Sequence, residues 1–512
     1  MFILILSRLD HILILLVLIL ASISTVGAFG NPLSQDQEDN LSEMTAAQVV
    51  PLLKSRTITV EKYVSLLVER SEVYGAPLNA FITLEKDSIL NAARRLDEKL
   101  ASGATLGALF GVPVSLKDLI STSGTATTFG TIKYQNFLPN KNAPLVDKLI
   151  AADAIIFGKN NNQEWAFGSN GYNSHYGQQL NPYDTERIAG GSSGGGAAAV
   201  AARIVPVAIG SDTAASIRVP AAFTGLFGFR PTTGRYPTAG VAPISQTLDT
   251  VGPLARSAED LMLIDEVLAD DKGTFPEIRL DGLRLGVPKR FFHEGVSQEL
   301  LEEFDFLLEE LEKRQVVLVD ADLPNVTQLN EEGLYPILFY ETYPAVNRFL
   351  AEWVDGSTVL DLLPDLGWDT KLAWQEMVIP GAPASIPLSV YQSAIDEIKP
   401  DLESTYSNYF ETHGVEALIF PATVGQAPLA KPENPQEDII DGETVSIFLH
   451  DRNSSPGALA GQPGIAIPLG LSKQGLPLAI SLDGKKNDDR RLLSIGKLVS
   501  TIVPRLPGPY EH

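Results

Sequence analysis

Stretches in which apolar residues have helical spacing alternate along the chain with short runs of mainly apolar residues. This order predicts helices and strands in alternation. Helical spacing covers 45–54, 60–74 and 89–101, which we expect to be amphipathic helices. Short runs of mainly apolar residues at 112–116 and 154–159 are typical of buried strands. Because helices and strands follow each other along the chain, the pattern indicates a layered α/β fold.

Two runs of glycine, alanine and serine interrupt this order at 190–196 and 210–218. The alanine-rich stretch 197–202 between them predicts a helix, and 205–209 predicts a strand that leads into the second run. The two runs therefore stand at opposite ends of one helix–strand unit. A strand that returns along the sheet can bring both ends, and the serines they carry, to one edge.

Charge and composition narrow the classes of function. The net charge is −24, from 63 acidic and 39 basic residues, so the surface repels phosphate backbones and disfavours nucleic-acid binding. The lack of cysteine excludes thiolate zinc sites, iron–sulfur clusters and a cysteine nucleophile. The six histidines show no metal-binding spacing such as H-E-x-x-H. We therefore expect no metal, and nothing in the sequence implies an organic cofactor.

The N-terminus predicts export from the cytoplasm. An unbroken apolar run is followed by small residues that end at Ala28, which is the pattern of a secretory signal peptide. We predict a signal peptide over 1–28, a flexible polar lead-in over 29–41 and one domain over 42–508, in a periplasmic or secreted protein. The alternative is an uncleaved membrane anchor that starts at Phe2.

The glycine run at 190–196 is open to three interpretations. A phosphate-binding loop would end in Gly-Lys-Ser or Gly-Lys-Thr, but alanines follow the run. A nucleophile elbow of the G-x-S-x-G type would make Ser193 the nucleophile, but an elbow follows an apolar strand and here a polar loop precedes it. The third interpretation joins the run to Ser216 and Lys117. Together they offer a hydroxyl nucleophile, a second hydroxyl to relay its proton and an amine to accept it.

The segments that carry these residues resemble a known family. GVPVSLKD at 111–118, GGSSGGGAAAVAA at 190–202 and GSDTAASIRVPA at 210–221 are similar to hallmark regions of the amidase signature family. Similar flanking stretches extend the resemblance from about residue 41 to about residue 506. The resemblance implies a single large three-layer α/β/α sandwich with a mixed central β-sheet.

The resemblance also assigns a Ser–Ser–Lys triad. It makes Ser216 the nucleophile, Ser192 the bridging serine in a cis peptide, and Lys117 the terminal base. Burial disfavours the charged form of an amine and lowers its pKa, which is normally about 10.4. A neutral Lys117 can then accept a proton from Ser192 as Ser192 takes one from Ser216. The apolar residues before Lys117 are consistent with such burial.

By the same resemblance, the backbone N–H groups of Thr213, Ala214, Ala215 and Ser216 line an oxyanion hole, which stabilises negative charge on the substrate oxygen. The chain departs here from the common family pattern, in which two glycines often stand in place of Ala214 and Ala215. Alanine tolerates positive φ less well than glycine. We therefore expect either a reshaped hole or negative φ at these two residues.

The implied activity is hydrolysis of linear carboxamides to an acid and ammonia, through an acyl-enzyme on Ser216. The segments GFRPTTGRYPT and LDGKKNDDRRLLSIG most resemble the indoleacetamide and mandelamide hydrolase branch, which favours arylacetamide substrates. Three of the four tryptophans lie within 330–400, and aromatic residues there are candidates to line an acyl pocket. The expected partner is thus a small-molecule amide. Assembly of two copies into a homodimer is an open alternative.

Three alternatives compete with this interpretation. An amidotransferase subunit that serves tRNA shares the fold but needs cytosolic partners, and the signal peptide argues against it. A serine esterase built on the elbow predicts that Ser193→Ala is fatal and Ser216→Ala mild, which reverses the expectation for the triad. A catalytically impaired binding protein would keep the pocket, and the Ala214–Ala215 pair is the one sequence feature in its favour.

Overall fold

The computed structural model describes residues 40–271, 273–431 and 436–510. The signal peptide, the alternative anchor and the lead-in as far as residue 39 lie outside these residues. Within the described ranges, no helix is both long and apolar enough to span a membrane.

Helices and strands alternate through most of the described chain, as the apolar pattern predicts. The strands are β1 (Phe81–Thr83), β2 (Pro113–Lys117), β3 (Ile155–Asn160), β4 (Leu180–Asn181), β5 (Asp184–Ile188), β6 (Val207–Asp212), β7 (Phe227–Arg230), β8 (Thr250–Ala255), β9 (Arg284–Gly286), β10 (Val317–Val319), β11 (Ala417–Pro421), β12 (Glu437–Ile440), β13 (Glu443–Ser446), β14 (Gly464–Leu471) and β15 (Pro477–Gly484). The α-helices are α1 (Ala46–Lys54), α2 (Val60–Arg70), α3 (Lys86–Ala101), α4 (Pro144–Ala151), α5 (Gly194–Ala201), α6 (Arg218–Thr224), α7 (Ala258–Leu268), α8 (Gln298–Lys313), α9 (Val326–Trp353), α10 (Val359–Leu362), α11 (Trp368–Ala373), α12 (Leu388–Ser393), α13 (Lys399–His413), α14 (Ser455–Leu459) and α15 (Asp489–Val499).

Eleven of the described strands form one mixed sheet in the order β1-β3-β2-β6-β8-β7-β14-β15-β11-β9-β10. Strand β2 runs parallel to β3 and β6, whereas β6 pairs antiparallel with β8. Along β6, Ala208 packs into a hydrophobic core with α2 and α5, while Val207 and Ile209 pack into another with α7 and α8. Helices thus cover both faces of the sheet, which confirms the three-layer α/β/α sandwich.

The strand register brings the two candidate segments together. Leu116 of β2 is paired with Ile209 of the parallel strand β6, so Lys117 and Ser211 lie at the same edge of the sheet. In α/β sheets, ligands bind beyond the carboxyl ends of parallel strands. This edge is therefore the expected position of a ligand site.

Candidate active site

Lys117 is the last residue of β2 and is buried, with 1 % of its surface exposed. Its Nζ donates to Ser192 Oγ over 2.6 Å and to Ser211 Oγ over 2.9 Å. Burial lowers the pKa of Lys117 to about 7, and the negative charges of Asp212 and Asp249 oppose this effect only in part. Near neutral pH, a substantial fraction of the amine is therefore neutral and able to accept a proton.

Ser192 is fully buried within the glycine run. The Gly191–Ser192 peptide bond is cis, as the resemblance implies. Gln163 N donates to Ser192 O over 3.3 Å, and the N–H of the next residue, Ser193, donates to Ser216 O over 3.3 Å. The contact between Ser193 and Ser216 holds the glycine run against the loop that carries Ser216, so the two serine runs meet as the helix–strand unit predicts.

Ser216 is partly buried and lines a cavity of about 620 Å³, called here the main cavity. Within the described residues, its hydroxyl makes no hydrogen bond to Ser192 or Lys117. The structure thus bonds two members of the predicted triad to each other and places the third on the adjoining loop. A serine hydroxyl moves between staggered positions by rotation about χ1 alone.

A buried carboxylate and two arginines order the loop that leads to Ser216. Asp212 lies 3.2 Å from the Arg218 guanidinium and 3.1 Å from that of Arg230. Burial raises the pKa of Asp212, but the two arginine charges outweigh it and bring the pKa to about 2. Arg218 also donates to Ala214 O over 2.6 Å, so the ion pair is tied directly to the loop backbone.

Residues 213–216, called here the oxyanion loop, include Ala214 and Ala215 without backbone strain. Ala214 and Ala215 are not among the described non-glycine residues with positive φ, so alanine needs no strained backbone there. None of the N–H groups of residues 213–216 is hydrogen-bonded to another described residue. These four donors are therefore available to a ligand, and Thr213, Ala214 and Ser216 line the main cavity.

Ser193, the nucleophile of the alternative elbow, is turned into the protein. Its hydroxyl donates to Ser211 O over 3.2 Å and accepts from Ser211 N over 3.3 Å, which ties the glycine run to β6. Ser193 does not line the main cavity. Its contacts are those of a residue that holds the backbone together.

Ser211 is a functional candidate that the sequence motifs missed. It is the second hydroxyl partner of Lys117, and it lies at the end of β6 beside the end of β2. The signal that would have found it is the parallel register of the two strands, because that register places residue 211 at the same edge as residue 117.

The main cavity is largely apolar and opens between the sheet edge and a group of helices. One part of the wall is formed by residues 166–169 and by the loop 213–216. Helices α9 and α11 supply three of the aromatic residues that the sequence put forward as candidates, namely Tyr335, Phe339 and Trp368. Other aromatic residues of the same segment, such as Trp374, are buried in the core.

The charged side chains that line the main cavity are all acidic. Asp369, Glu376 and Asp451 line it, and no lysine, arginine or histidine does so among the described residues. Burial raises the pKa of Asp451 to about 7, and the Ser169 hydroxyl donates to its carboxylate. A bound group therefore meets aromatic surface and carboxyl groups.

Comparison with known proteins agrees with the fold and the motifs. The sequence profile of the Amidase family matches residues 62–493. The chain belongs to this family, the amidase signature family, and is a hydrolase that acts on amide C–N bonds.

Individual relatives cover most of the chain. Mandelamide hydrolase from Pseudomonas putida is 34 % identical over 92 % of this chain and 94 % of its own length. Indoleacetamide hydrolase from Allorhizobium ampelinum is 33 % identical over 89 % of this chain and 97 % of its own length. A crystal structure of an amidase matches with a TM-score of 0.80 and 27 % identity, over 90 % of this chain and 100 % of that one. These matches confirm the family resemblance and the fold it implies.

Proposed function

We propose that the protein hydrolyses linear arylacetamide-type carboxamides through an acyl-enzyme on Ser216. The observation that carries this proposal is the 2.6 Å contact between buried Lys117 and Ser192, beside a cavity that Ser216 lines. A serine hydroxyl needs a base to act as a nucleophile near neutral pH. The lowered pKa of Lys117 supports its role as that base, because a substantial fraction of the amine is neutral near pH 7.

In the acylation step, the Ser216 hydroxyl rotates towards Ser192 and its Oγ attacks the amide carbonyl carbon. The proton of Ser216 passes to Ser192 Oγ as the proton of Ser192 passes to neutral Lys117. Negative charge develops on the carbonyl oxygen, and the unpaired N–H groups of residues 213–216 stabilise it. The C–N bond then breaks, and the nitrogen takes a proton back from Lys117 through Ser192, so that ammonia leaves.

Deacylation repeats the relay with water. A water molecule attacks the ester carbonyl carbon and gives its proton through Ser192 to Lys117. The tetrahedral intermediate expels Ser216 Oγ, which recovers a proton by the reverse path, and the carboxylic acid leaves. The reaction consumes one amide and one water and produces one acid and one ammonia, with no metal or organic cofactor in any step.

The main cavity favours a neutral aromatic acyl group. Tyr335, Phe339 and Trp368 offer flat apolar surface to a ring. The three carboxyl groups of the wall, without a cationic side chain among the described lining residues, disfavour an acyl group that carries negative charge. Two relatives are named for hydrolysis of aryl-substituted acetamides, mandelamide and indoleacetamide, which supports the same substrate class.

Ammonia release from a panel of amides tests the proposal. We expect phenylacetamide, mandelamide and indole-3-acetamide to be cleaved at least roughly tenfold faster in kcat/KM than propionamide, because a ring fills the apolar cavity. Malonamic acid, with an anionic acyl group, should be cleaved most slowly. Faster cleavage of malonamic acid than of phenylacetamide would contradict the substrate class.

Covalent labelling tests the nucleophile. A fluorophosphonate probe should attach to Ser216, and Ser216→Ala should abolish both labelling and amide hydrolysis. Ser193→Ala is the matched control, because Ser193 is a neighbouring buried serine whose hydroxyl bonds the backbone of β6. Labelling of Ser193, or activity retained by Ser216→Ala, would support the esterase elbow. A wild-type protein that takes no label and releases no ammonia would support the binding-protein alternative.

We also propose that the protein is exported and that the signal peptide is cleaved after Ala28. The apolar run and the small residues that follow it support this proposal. Mass spectrometry of the protein isolated from the periplasm or medium should show an N-terminus at Phe29. A protein that retains Met1 and sediments with membranes would show the uncleaved anchor instead.

A further inference from the structure

Asp249 stands just before β8 and accepts three hydrogen bonds through one carboxylate. The Thr213 hydroxyl donates to Oδ1 over 2.7 Å. The backbone N–H groups of Ile244 and Ser245 donate to Oδ2 over 2.8 Å and 3.0 Å. One side chain thus joins the loop after β6 to the loop before β8.

A second cavity, of about 340 Å³, lies on the Asp249 side of this junction and is called here the rear cavity. Asp249 and Ser211 both line it. Ala166, Thr213 and Ile244 line the rear cavity and the main cavity alike, so they form the partition between the two. Asp249 bonds two of these three partition residues, and it does so from the rear side.

The Asp249 carboxylate also acts electrostatically on the buried Lys117 amine. Negative charge on Asp249 favours the protonated form of Lys117, as does the charge of Asp212. Asp212 is compensated by Arg218 and Arg230, which contact it directly. The Asp249 carboxylate has no arginine or lysine within ion-pair distance among the described residues, although Arg230 acts on it from farther away.

We propose that Asp249 is a positioning residue for the hydrolysis proposed above: it fixes the oxyanion loop by holding the Thr213 hydroxyl from behind. Thr213 is the first residue of the 213–216 loop, and its own N–H is one of the four unpaired donors. A loop held at Thr213 presents these donors to the substrate oxygen without reorganisation, which is the condition under which such donors are effective. The role rests on the proposed function, because it concerns the same transition state.

Two variants separate the contact from the charge. Thr213→Val removes the hydrogen bond and keeps the carboxylate, so kcat should fall about tenfold, less than the loss for deleting a whole oxyanion donor, while KM changes little. Thr213→Ser restores a hydroxyl and should restore most of kcat. Asp249→Asn can keep all three contacts, with its Oδ1 accepting from the two N–H groups and its Nδ2 donating to Thr213 Oγ1.

The pH profile reports the charge of Asp249 separately from its contact with Thr213. The charged groups around Lys117 and Asp249 are Asp212 with Arg218 and Arg230, and Arg348 and Glu352 line the rear cavity from α9. Asp249→Asn leaves these groups in place and removes one negative charge near Lys117. The acid limb of kcat/KM should therefore move to lower pH in Asp249→Asn. It should move by less in Thr213→Val, which keeps the carboxylate and removes only a hydrogen bond that lowers the pKa of Asp249.

A matched pair elsewhere in the chain controls for lost stability. The buried Thr232 hydroxyl donates to Asp489 over 2.6 Å, and Thr232 N donates to the same carboxylate over 2.7 Å. Neither residue lines the main or the rear cavity. Thr232→Val and Asp489→Asn should lower the unfolding midpoint as much as the test variants do and leave kcat and the pH profile unchanged.

The outcomes are distinct. Wild-type kcat in Thr213→Val, or an equal loss in Thr213→Ser, would overturn the positioning role. Failure of the proposed function would show earlier, in the wild-type protein, as no ammonia release and no fluorophosphonate label on Ser216. In a wild-type protein that takes the label, the labelling rate gives the same comparison of variants even before the natural amide is identified.

Discussion

Two lysines, Lys117 at the end of β2 and Lys159 near the end of β3, are equally buried. The regions around them differ in the groups that surround the amine. Lys117 is 1 % exposed and Lys159 is 0 % exposed. Lys159 lies 3.3 Å from the Asp118 carboxylate, and it donates to Ile120 O over 2.6 Å and to the Thr127 hydroxyl over 2.7 Å. Lys117 contacts two serine hydroxyls and, among the described residues, has no carboxylate within ion-pair distance.

The difference shows that the neighbours of a buried amine, and not burial alone, decide what the amine can do. Burial lowers the pKa of Lys159 to about 8, with Asp118 opposing the effect, and lowers the pKa of Lys117 to about 7. Lys159 also contacts one hydroxyl, but the Asp118 carboxylate favours its protonated form and holds it in place as part of an ion pair. Among the described residues, Lys117 donates only to hydroxyls and can exchange a proton with them, and a third serine, Ser216, lies on the adjoining loop and lines the main cavity.

The largest expected effect comes from removing the Lys117 amine. Lys117→Met keeps most of the side-chain volume and should lower kcat by roughly 10³- to 10⁴-fold, the upper range for general acid–base catalysis. No buried charge is left without a partner, so we expect the free energy of unfolding to change by about 1–3 kcal/mol at most. Steady-state ammonia release and urea denaturation measure the two quantities. Retained activity would remove Lys117 from the mechanism.

The same substitution at the second lysine should act on stability. Lys159→Met leaves the Asp118 carboxylate buried without its cation and should lower the free energy of unfolding by about 3–5 kcal/mol. Adding Asp118→Asn removes that charge and should recover part of the loss. Urea denaturation measures both, and kcat per folded molecule is the control. A loss of kcat as large as that of Lys117→Met, at unchanged stability, would reverse the roles given to the two regions.

The contrast between the lysines also shows what the sequence could and could not predict. The motif containing Lys117 and the two serine runs identified the site because each resembles a hallmark region of the amidase signature family. Lys159 carried no such signal, since its partner Asp118 is 41 positions away and meets it only through the parallel pairing of β2 and β3. The partners Ser211 and Asp249 depend on strand register in the same way, and periodicity does not specify register.

Element boundaries show a second limit of the sequence. The apolar stretch 78–84 predicts a strand, but only Phe81–Thr83 joins the sheet. The preceding residues form a turn in which Asn79 N donates to Ala76 O over 3.0 Å. Hydrophobic spacing locates an element, whereas local hydrogen bonds decide where it begins.

The pH dependence of the wild-type protein should follow the Lys117 region. Neutral Lys117 is the active form, so kcat/KM should be constant above pH 7 and fall about tenfold per unit below it, given a pKa of about 7. Asp451 has a pKa of about 7 as well and lines the main cavity, so it could produce a similar limb. Asp451→Asn is the control and should leave the limb in place. Loss of the limb in that variant would assign it to Asp451.

The smallest expected effect comes from the second hydroxyl on Lys117. Ser211→Ala removes one of the two acceptors and should lower kcat roughly three- to tenfold, the scale of one neutral hydrogen bond. The acid limb should move to lower pH, because the protonated amine loses an acceptor that favours it. Ser193→Ala is the matched control, since it bonds the backbone of Ser211 and leaves both contacts of Lys117 intact. An effect of Ser211→Ala as large as that of Ser192→Ala would mean that the proton leaves Lys117 by Ser211, and the relay through Ser192 would have to be redrawn.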